Sequence, residues 1–307
     1  MAIDDPLDGI AAFVQAAESG SFAQAAARLR VTRSAVSKSI AAMERRLGAR
    51  LFQRTTRRQS LTESGQVYYE RCRRALDELE AGAAALASGR SEPRGRLRVS
   101  VPVLFGRHCV APVLARLAQR HPALALEIAF SDRVVDLIEE GFDLAVRIGT
   151  LPDSASLAAR RLATQDFVLC AAPAFLAAAG WNGRLDGMAG LAGIAYARAG
   201  RETPWQWSDG DGRVHALGIV TRLRYDDVQA IADAAVAGFG IARLPRWLAA
   251  PQAQAGRLKL LTDREHVLRT DIHAVWPHAH HLPAKTRAAI DALAAEIPAA
   301  LDRSQQP

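Results

Sequence analysis

The chain has 307 residues, half of them apolar, which is more than one ordinary core holds and predicts two or three domains. Its formal net charge is +7, and its three cysteines are odd in number and far apart, which excludes a disulfide framework and a Cys-x-x-Cys metal clamp. Because the sequence has no signal-peptide pattern and no stretch apolar enough to span a bilayer, we expect a cytoplasmic protein without membrane contact.

The positive charge is concentrated in one short segment near the N-terminus. Between Arg28 and Arg58, ten basic residues face a single acid, Glu44, so this segment carries +9 and the rest of the chain −2. A basic patch confined to one small module predicts a polyanion partner for that module. The alternative is that these charges form an ordinary solvated surface. The helices and strands predicted for this segment decide between the two interpretations.

Two helices are predicted ahead of and within this basic segment. Asp5 and Pro6 favour the start of the first helix, as N-cap and first helical residue, and Gly20 favours its end. Ser21 and Gln24 have the spacing of a capping box, which predicts the start of a short second helix. A tight turn then separates this helix from the next.

A third helix, capped by Thr32 and ended by Gly48, is predicted to have two different faces. At the helical period, one stripe is apolar and must be buried against the first two helices: Val36, Ile40, Met43 and Leu47. The opposite face is small, polar and basic: Ser34, Ser37, Lys38, Ala41 and Arg45. Such a face can enter a DNA major groove without a bulky clash.

A basic hairpin follows the third helix. Residues 51–54 and 59–61 are predicted to be two short strands, and the turn between them carries Thr55, Arg57 and Arg58. Such a β-wing can hold DNA phosphates beside the minor groove. A plain solvated surface does not account for capped helices, a two-faced helix and a basic hairpin in succession, although Arg45, Arg46 and Arg50 can each be simple surface residues.

Several short segments of this module carry a family resemblance: Gly20-Ser21-Phe22, Ala25-Ala26, Ser34-Ala35-Val36-Ser37, Leu47-Gly48, Leu51-Phe52, Arg54-Thr55 and Leu61-Thr62-Glu63. Together they resemble the LysR-type transcriptional regulators. The resemblance implies that the third helix reads DNA and that the wing holds its backbone. Arg33 stands where such regulators often carry Pro or Gln, and it adds charge. The predicted DNA-binding residues are Ser21, Arg33, Ser34, Ser37, Lys38, Arg54, Thr55, Arg57 and Arg58.

A long linker helix is predicted from Thr62 to about residue 88. Its apolar residues alternate spacings of three and four and form a seam: Tyr69, Cys72, Leu76, Leu79, Ala83 and Leu86. The seam predicts pairing with a second copy, which the resemblance favours, or packing on its own domain. Cys72 is interpreted as a packing residue, with a redox role as the lesser alternative. Residues 89–95, with Pro93, are predicted to be a hinge.

Strands and helices alternate through the remaining two hundred residues, which predicts βαβ units and a parallel sheet. Predicted strands lie near residues 97–101, 124–130, 144–148, 167–171, 219–223, 240–244 and 271–276. One predicted helix runs from just after residue 102 to about residue 120, and three others span residues 134–141, 226–237 and 283–297. We expect the last strand and helix to return to the first lobe.

This part also carries family segments: residues 95–106, Ser131-Asp132-Arg133, residues 139–143, Arg147-Ile148-Gly149, Asp153-Ser154 and residues 238–245. They are similar to the sensor domain of LysR-type regulators, which implies two α/β lobes resembling the type 2 periplasmic-binding-protein fold. The expected fold is α+β and multi-domain. Its parts are a winged helix-turn-helix (1–62), a linker helix (63–88), a hinge (89–95) and an effector-binding domain (96–303), with lobe 1 at about 96–164 and 266–303 and lobe 2 at about 165–265.

The effector is expected beyond the carboxyl ends of the strands, between the lobes. The helix that opens after Pro102 is expected to offer N–H groups to an anion. The candidate effector-binding residues are Ser100, Pro102, Val103, Leu104, Phe105, Arg147, Ile148, Gly149, Tyr196, Arg198, Asp226 and Asp227. The alternative interpretation of Tyr196 and Arg198 is that they are plain surface residues. For Arg147 the alternative is an internal ion pair that holds the strands together. Relatives commonly have Asn near Asp226, so an acid there argues against a simple carboxylate effector.

No catalytic constellation or cofactor site stands out in the sequence. Five histidines lie towards the C-terminus without zinc-ligand spacing and are interpreted as surface residues: His266, His273, His278, His280 and His281. We therefore expect a non-enzymatic transcriptional regulator that binds double-stranded promoter DNA and a small-molecule effector, with RNA polymerase as a further candidate partner. The sequence does not separate a dimer from a tetramer, and the resemblance to LysR-type regulators implies a dimer of dimers. The alternative is a solute-binding protein or enzyme on the same two-lobed fold, against which the basic wing and the absent signal peptide argue.

Overall fold

The computed structural model describes residues 7–54, 59–87, 92–209, 211, 213–263, 265–279 and 282–303. The chain divides into two compact units, an N-terminal unit, Met1–Gly95, and a C-terminal unit, Arg96–Pro307. In the N-terminal unit the elements are α1 (Ile10–Ser19), α2 (Phe22–Leu29), α3 (Arg33–Leu47), β1 (Phe52–Arg54), β2 (Gln59–Leu61) and α4 (Glu63–Ala87). Strands β1 and β2 pair antiparallel, as predicted for the wing.

The predicted start of α1 is wrong. The helix begins at Ile10, after Gly9 at φ 82°, whereas Asp5 and Pro6 lie outside the described residues. The predicted capping box of α2 is also wrong, because the Ser21 side chain makes no capping hydrogen bond. The N–H of Phe22, the first residue of α2, donates to Oε1 of Gln59 at 3.1 Å. This hydrogen bond joins the wing to the start of α2.

Helix α3 has the predicted ends. Thr32 caps it by accepting a hydrogen bond from the N–H of Ala35, and Gly48 ends it in the left-handed conformation. On the predicted apolar stripe, Val36, Ile40 and Met43 are buried. Leu47 is 39% exposed, so its predicted burial is wrong: it lies in the last turn, where the helix leaves the core.

Helix α4 packs its first half onto the N-terminal unit itself. Cys72 is buried in the core of this unit, and Tyr69 and Leu76 pack against the same core. This packing on its own domain is the alternative that the sequence left open for the seam, although Tyr69 and Leu76 are only partly buried. Leu79 is 55% exposed. Among the described residues, no helix, α4 included, is long and apolar enough to cross a membrane.

The elements of the C-terminal unit are β3 (Gly95–Val101), α5 (Val103–Phe105), a π-helical turn (Gly106–Val110), α6 (Ala111–Arg120), β4 (Leu124–Phe130), β5 (Leu144–Ile148), β6 (Leu157–Ala171), α7 (Pro173–Ala178), a 3-10 turn (Asp186–Met188), β7 (Ala192–Arg198), β8 (Arg201–Glu202), β9 (Gln206–Ser208), β10 (Val214–Ala216), β11 (Val220–Tyr225), α8 (Val228–Val236), β12 (Ile241–Pro245), α9 (Arg246–Gln254), β13 (Lys259–Leu260), β14 (Leu268–Pro277) and α10 (Ala284–Arg303).

One mixed sheet runs through the C-terminal unit, in the order β11-β7-β12-β6-β14-β5-β3-β4. The pairs β3–β5, β7–β11 and β7–β12 are parallel, as the βαβ pattern predicts. The predicted parallel sheet is confirmed only within each lobe, because the long strands β6 and β14 are antiparallel to each other and to their outer neighbours, β12 and β5. These two strands join the lobes.

Each lobe has its own core on one half of this sheet. In lobe 1, β3, β4 and β5 pack against α6 and α10, so the last helix returns to the first lobe as predicted. In lobe 2, β7, β11 and β12 pack with α8 and α9. The predicted helix at residues 134–141 is wrong. The carboxylate of Asp136 accepts the N–H groups of Ile138 and Glu139, both at 2.9 Å, and this local pairing favours turns over a helix.

The single acid of the basic segment ties the wing to α3. Oε1 of Glu44 accepts the N–H of Leu51 at 2.8 Å and that of Phe52 at 3.2 Å, and both residues are buried. Glu44→Ala leaves both donors without this acceptor, and we expect it to destabilise the N-terminal unit by about 1–3 kcal/mol. Glu44→Gln keeps an acceptor oxygen and should cost less. Urea unfolding by circular dichroism and amide hydrogen exchange at Leu51 and Phe52 measure this.

The control is Glu139→Ala, which removes an exposed carboxylate of the C-terminal unit and should leave exchange at the wing unchanged. If Glu44→Ala exchanges and unfolds like the unsubstituted chain, the contact contributes nothing to the wing.

Candidate functional site

The exposed face of α3 is the first candidate site. Arg33, Ser34, Ser37 and Lys38 are all exposed, on the side of the helix opposite the buried apolar stripe. The two hydroxyl side chains are short, and the two cations stand beside them at the N-terminal half of the helix. This face can offer hydrogen bonds to base edges and positive charge to phosphates.

Around this face, some of the basic residues have structural contacts. Arg46 donates from Nη2 to the carbonyl oxygen of Asp8 at 3.3 Å and also interacts with Tyr68, so it holds α3 to its neighbours. Arg45 and Arg50 are exposed. The hydroxyl of Ser21, unused in capping, stands at the start of α2. Three predicted wing contacts, Thr55, Arg57 and Arg58, lie outside the described residues, as does the side chain of Arg54.

A cavity of about 430 Å³ between the two lobes of the C-terminal unit is the second candidate site. Its lining comes from lobe 1 and lobe 2 alike: Val103, Phe130, Ser131, Asp132, Arg133, Arg198, Asp226 and Asp227. The ends of β4 and β11, the two outermost strands of the sheet, thus meet across it. Of the predicted effector residues, Val103, Arg198, Asp226 and Asp227 are brought together here.

Residues 130–133, at and directly after the end of β4, line the cavity but were not among the predicted effector residues. A usable signal was present. Strand ends of an open sheet form its ligand site, and the same rule that selected the residues after β3 and β5 applies to β4. Which edge of the sheet β4 would occupy was not readable from the local pattern, so its loop was not assigned to the cleft.

The predicted anion site at the start of α5 is wrong. The N–H of Val103 donates to Oδ1 of Asp132 at 3.1 Å, so a carboxylate of the chain itself occupies this position. The predicted effector contacts of Leu104 and Phe105 are also wrong, because both side chains are buried in the lobe 1 core. Phe105 packs edge-on against Trp247, with ring centroids 6.2 Å apart.

Four other predicted effector residues do not line the cavity. Ser100 is fully buried, and its hydroxyl has no hydrogen-bond partner in the described part of the chain. Pro102 occupies the N-cap position of α5. Ile148 packs against the lobe 1 core, and the N–H of Gly149 donates to the carbonyl oxygen of Asp271 at 2.9 Å. Their roles at the carboxyl ends of β3 and β5 are therefore structural in this arrangement.

Two arginines from different lobes, Arg147 and Arg198, are near enough for the charge of one to act on the other. Arg147, at the end of β5, donates from Nη2 to the carbonyl oxygen of Val135 at 3.3 Å and has no ion-pair partner among the described residues. Burial lowers the pKa of Arg147, the charge of Arg198 at the end of β7 lowers it further, and Glu140 raises it. The like charges of Arg147 and Arg198 therefore oppose the approach of the two lobes.

Tyr196 is not part of the cavity lining and packs against the lobe 2 core, but the charges of four lining residues act on it. Burial raises the pKa of its phenol, the carboxylates of Asp132, Asp226 and Asp227 raise it as well, and the positive charge of Arg198 lowers it. The phenol therefore stays protonated at neutral pH.

Comparison with known proteins assigns both parts of the chain to one family. Residues 7–66 match the family model described as bacterial regulatory helix-turn-helix protein, lysR family, and residues 90–298 match the LysR substrate binding domain. The chain belongs to the LysR family of transcriptional regulators. The predicted family is thereby confirmed, and so is the α+β, multi-domain fold. As a LysR-type regulator, it is a DNA-binding protein whose second domain is an effector-binding domain.

Similar LysR-type proteins cover nearly the whole chain. An uncharacterized HTH-type transcriptional regulator of Haemophilus influenzae is 33% identical over 281 residues, which cover 92% of this chain and 97% of that protein. DmlR of Escherichia coli is 33% identical over 290 residues, covering 94% and 93%. The structure of CrgA from Neisseria meningitidis superposes with a TM-score of 0.58 at 29% identity and covers 94% of this chain and 98% of its own.

The histidines of this regulator do not gather into a metal site. Within the described ranges, no group of three or more His, Cys, Asp or Glu side chains could hold a metal ion. His266 bonds through Nδ1 to Oδ1 of Asp263 at 2.6 Å and packs on Trp207. His280 and His281 lie outside the described residues.

All three cysteines of this LysR-family chain are buried. Burial raises the pKa of the Cys109 and Cys170 thiols to about 12 and also raises the pKa of Cys72. Because the thiolate is the reactive form, all three thiols should be inert in the folded state.

We therefore expect a thiol reagent such as 5,5′-dithiobis(2-nitrobenzoate) at mildly alkaline pH to modify the folded protein very slowly. All three cysteines should react in concentrated guanidinium chloride, where burial no longer raises their pKa values. Absorbance at the wavelength of the released thiolate measures both rates. Rapid reaction of the folded chain that disappears in Cys72→Ala would contradict this and support a redox role for Cys72.

Proposed function

We propose that this regulator reads promoter DNA with the exposed face of α3 and that a small molecule bound between its lobes controls it. The DNA-reading part of this proposal rests on one observation. Four side chains are exposed on the face of α3 opposite the buried apolar stripe: Arg33, Ser34, Ser37 and Lys38. A B-DNA major groove about 12 Å wide admits a helix with such a face.

The contacts divide between bases and phosphates. Ser34 and Ser37 are short enough to bond base edges at close approach, and Lys38 can reach a guanine or a phosphate. Arg33 adds a cation at the N-terminus of α3, the end of a recognition helix that contacts base edges in this class of motif. Ser21 has a hydroxyl left free of capping, which supports a phosphate contact. Arg54, Thr55, Arg57 and Arg58 are proposed to hold phosphates through the wing.

An anionic group of the effector is proposed to bridge Arg147 and Arg198. The two guanidinium groups belong to different lobes and repel each other, so an anion between them removes the repulsion and favours closure. The long strands β6 and β14, which join the lobes, are the natural place for the small changes in backbone angle that closure needs. Closure would then change how the regulator presents its DNA-reading helices.

The working form is proposed to be a homotetramer, a dimer of dimers, in the cytoplasm, where promoter DNA is found. Leu79 on α4 supports pairing with a second copy, because it is exposed whereas Tyr69, Cys72 and Leu76 pack on the core of their own unit. Ala83 and Leu86, whose side chains lie outside the described residues, are proposed to continue this contact. RNA polymerase is a proposed further partner. Because its relatives are named as transcriptional regulators, we propose no enzymatic activity.

The DNA-reading role is tested with the duplex upstream of the chain's own gene and a scrambled duplex of equal length. Lys38→Ala should weaken binding to both duplexes and reduce the slope of log affinity against log salt by about one. Ser37→Ala should instead reduce the preference for the promoter duplex. Fluorescence anisotropy at several salt concentrations measures both effects.

Lys259→Ala is the matched control, since it removes the same charge from an exposed site of the other unit. If the combined Ser37→Ala, Lys38→Ala and Arg54→Ala variant binds the promoter duplex as tightly as the unsubstituted chain, these contact assignments are wrong.

A further inference from the structure

The charges that line the cleft are unequal. Three carboxylates, Asp132, Asp226 and Asp227, share the lining with two guanidinium groups. One of the two, Arg133, is neutralised by Glu140, with Nη2 and Oε2 2.7 Å apart. Arg198 has no ion-pair partner in the described part of the chain. A ligand that enters therefore meets an excess of negative charge around a single free cation.

Two of the three carboxylates already have partners in the chain. Oδ1 of Asp132 accepts the N–H of Val103 at 3.1 Å, and Oδ1 of Asp227 caps α8 by accepting the N–H of Ala230 at 2.7 Å. Asp226 is different, because it makes no hydrogen bond or ion pair among the described residues. It is an exposed carboxylate that stands ready for a donor from outside the chain.

We propose that the effector is a small zwitterion, an amino acid with an apolar side chain, whose carboxylate binds Arg198 and Arg147 and whose ammonium binds Asp226. This rests on the proposed function of the cleft. A carboxylate without an amine would bring a second negative charge beside Asp226 with nothing to balance it. An amine without a carboxylate would leave Arg147 and Arg198 to repel each other.

The wall of the cavity supports the apolar side chain. Val103 and Phe130 are its apolar residues, and Phe130 is 45% exposed although it is large and hydrophobic. Covering this ring with an apolar group of the ligand removes its surface from water, which favours binding. A cavity of about 430 Å³ has room for a side chain of the size of leucine or phenylalanine.

The test is isothermal titration calorimetry on the full-length protein. The probes are L-leucine and L-phenylalanine, each with its 2-hydroxy acid and its decarboxylated amine as matched compounds that lack one charge. We expect at least one of the two amino acids to bind about tenfold or more tightly than its matched compounds, since each lacks a charge-assisted hydrogen-bond partner. Asp226→Asn should remove most of this preference, because it weakens the binding of the amino acid and leaves the binding of the hydroxy acid unchanged or tighter.

Asp211→Asn is the control, since it neutralises an exposed carboxylate that does not line the cavity, and it should bind all probes as the unsubstituted chain does. If the hydroxy acid binds as tightly as the amino acid, or if Asp226→Asn keeps the preference, the zwitterion proposal is overturned while the cleft remains the effector site. If Arg198→Gln leaves the binding of every probe unchanged, the cleft is not where they bind, and the proposed control of the regulator by this site falls too. Binding by none of the probes would also overturn the ligand class stated here.

Discussion

The pairing of β6 with β14 is the constraint on which the sensor part of the molecule depends. The two strands run antiparallel from the pair Leu268–Phe167 to the pair Pro277–Leu157, with a change of register between Ile272 and His273. Because both strands pass from one lobe into the other, the lobes share a single sheet. The loops after its two edge strands, β4 and β11, line one cavity. The cleft is thus a consequence of strand pairing far from the residues that line it.

In the N-terminal unit a comparable constraint acts through α3. The side that carries Val36, Ile40 and Met43 is fixed by the core, and the helical period then decides which residues face outward. Glu44 extends this order to the wing, because one carboxylate oxygen accepts two N–H groups at the start of β1. The reading face and the wing therefore do not move independently at their base, although one is a helix and the other a hairpin. A DNA-binding surface composed of two elements needs such a connection to keep a constant spacing.

Local signals in the sequence predicted the elements well where the side chains of the element itself decide the outcome. Thr32 and Gly48 end α3 as expected, alternating apolar residues predicted β4, and the strand predicted at residues 144–148 is β5. Other predictions failed where a partner distant in sequence or a competing local hydrogen bond decided the outcome. Asp132 occupies the N–H of Val103 that was predicted to bind an effector, and Asp136 favours turns where a helix was predicted. The cleft lining could be predicted only in part, since the position of β4 at a sheet edge is set by the whole topology.

The occupied N–H of Val103 changes the physical argument about how the sensor responds. If a helix N-terminus within lobe 1 bound the effector's anion, one lobe alone would supply the affinity, and binding would not depend on closure. With Asp132 in that position, Arg147 and Arg198, which belong to opposite lobes, are cations without an ion-pair partner among the described residues. In the proposed function, an anion bridges them and gains its full interaction only when both lobes approach it, so its affinity for the closed arrangement exceeds that for the open one. A ligand shifts a conformational equilibrium only by such a difference, and about 1.4 kcal/mol of it is a tenfold shift in population. On this proposal, the carboxylate of Asp132 makes the occupation of the pocket depend on the positions of the lobes.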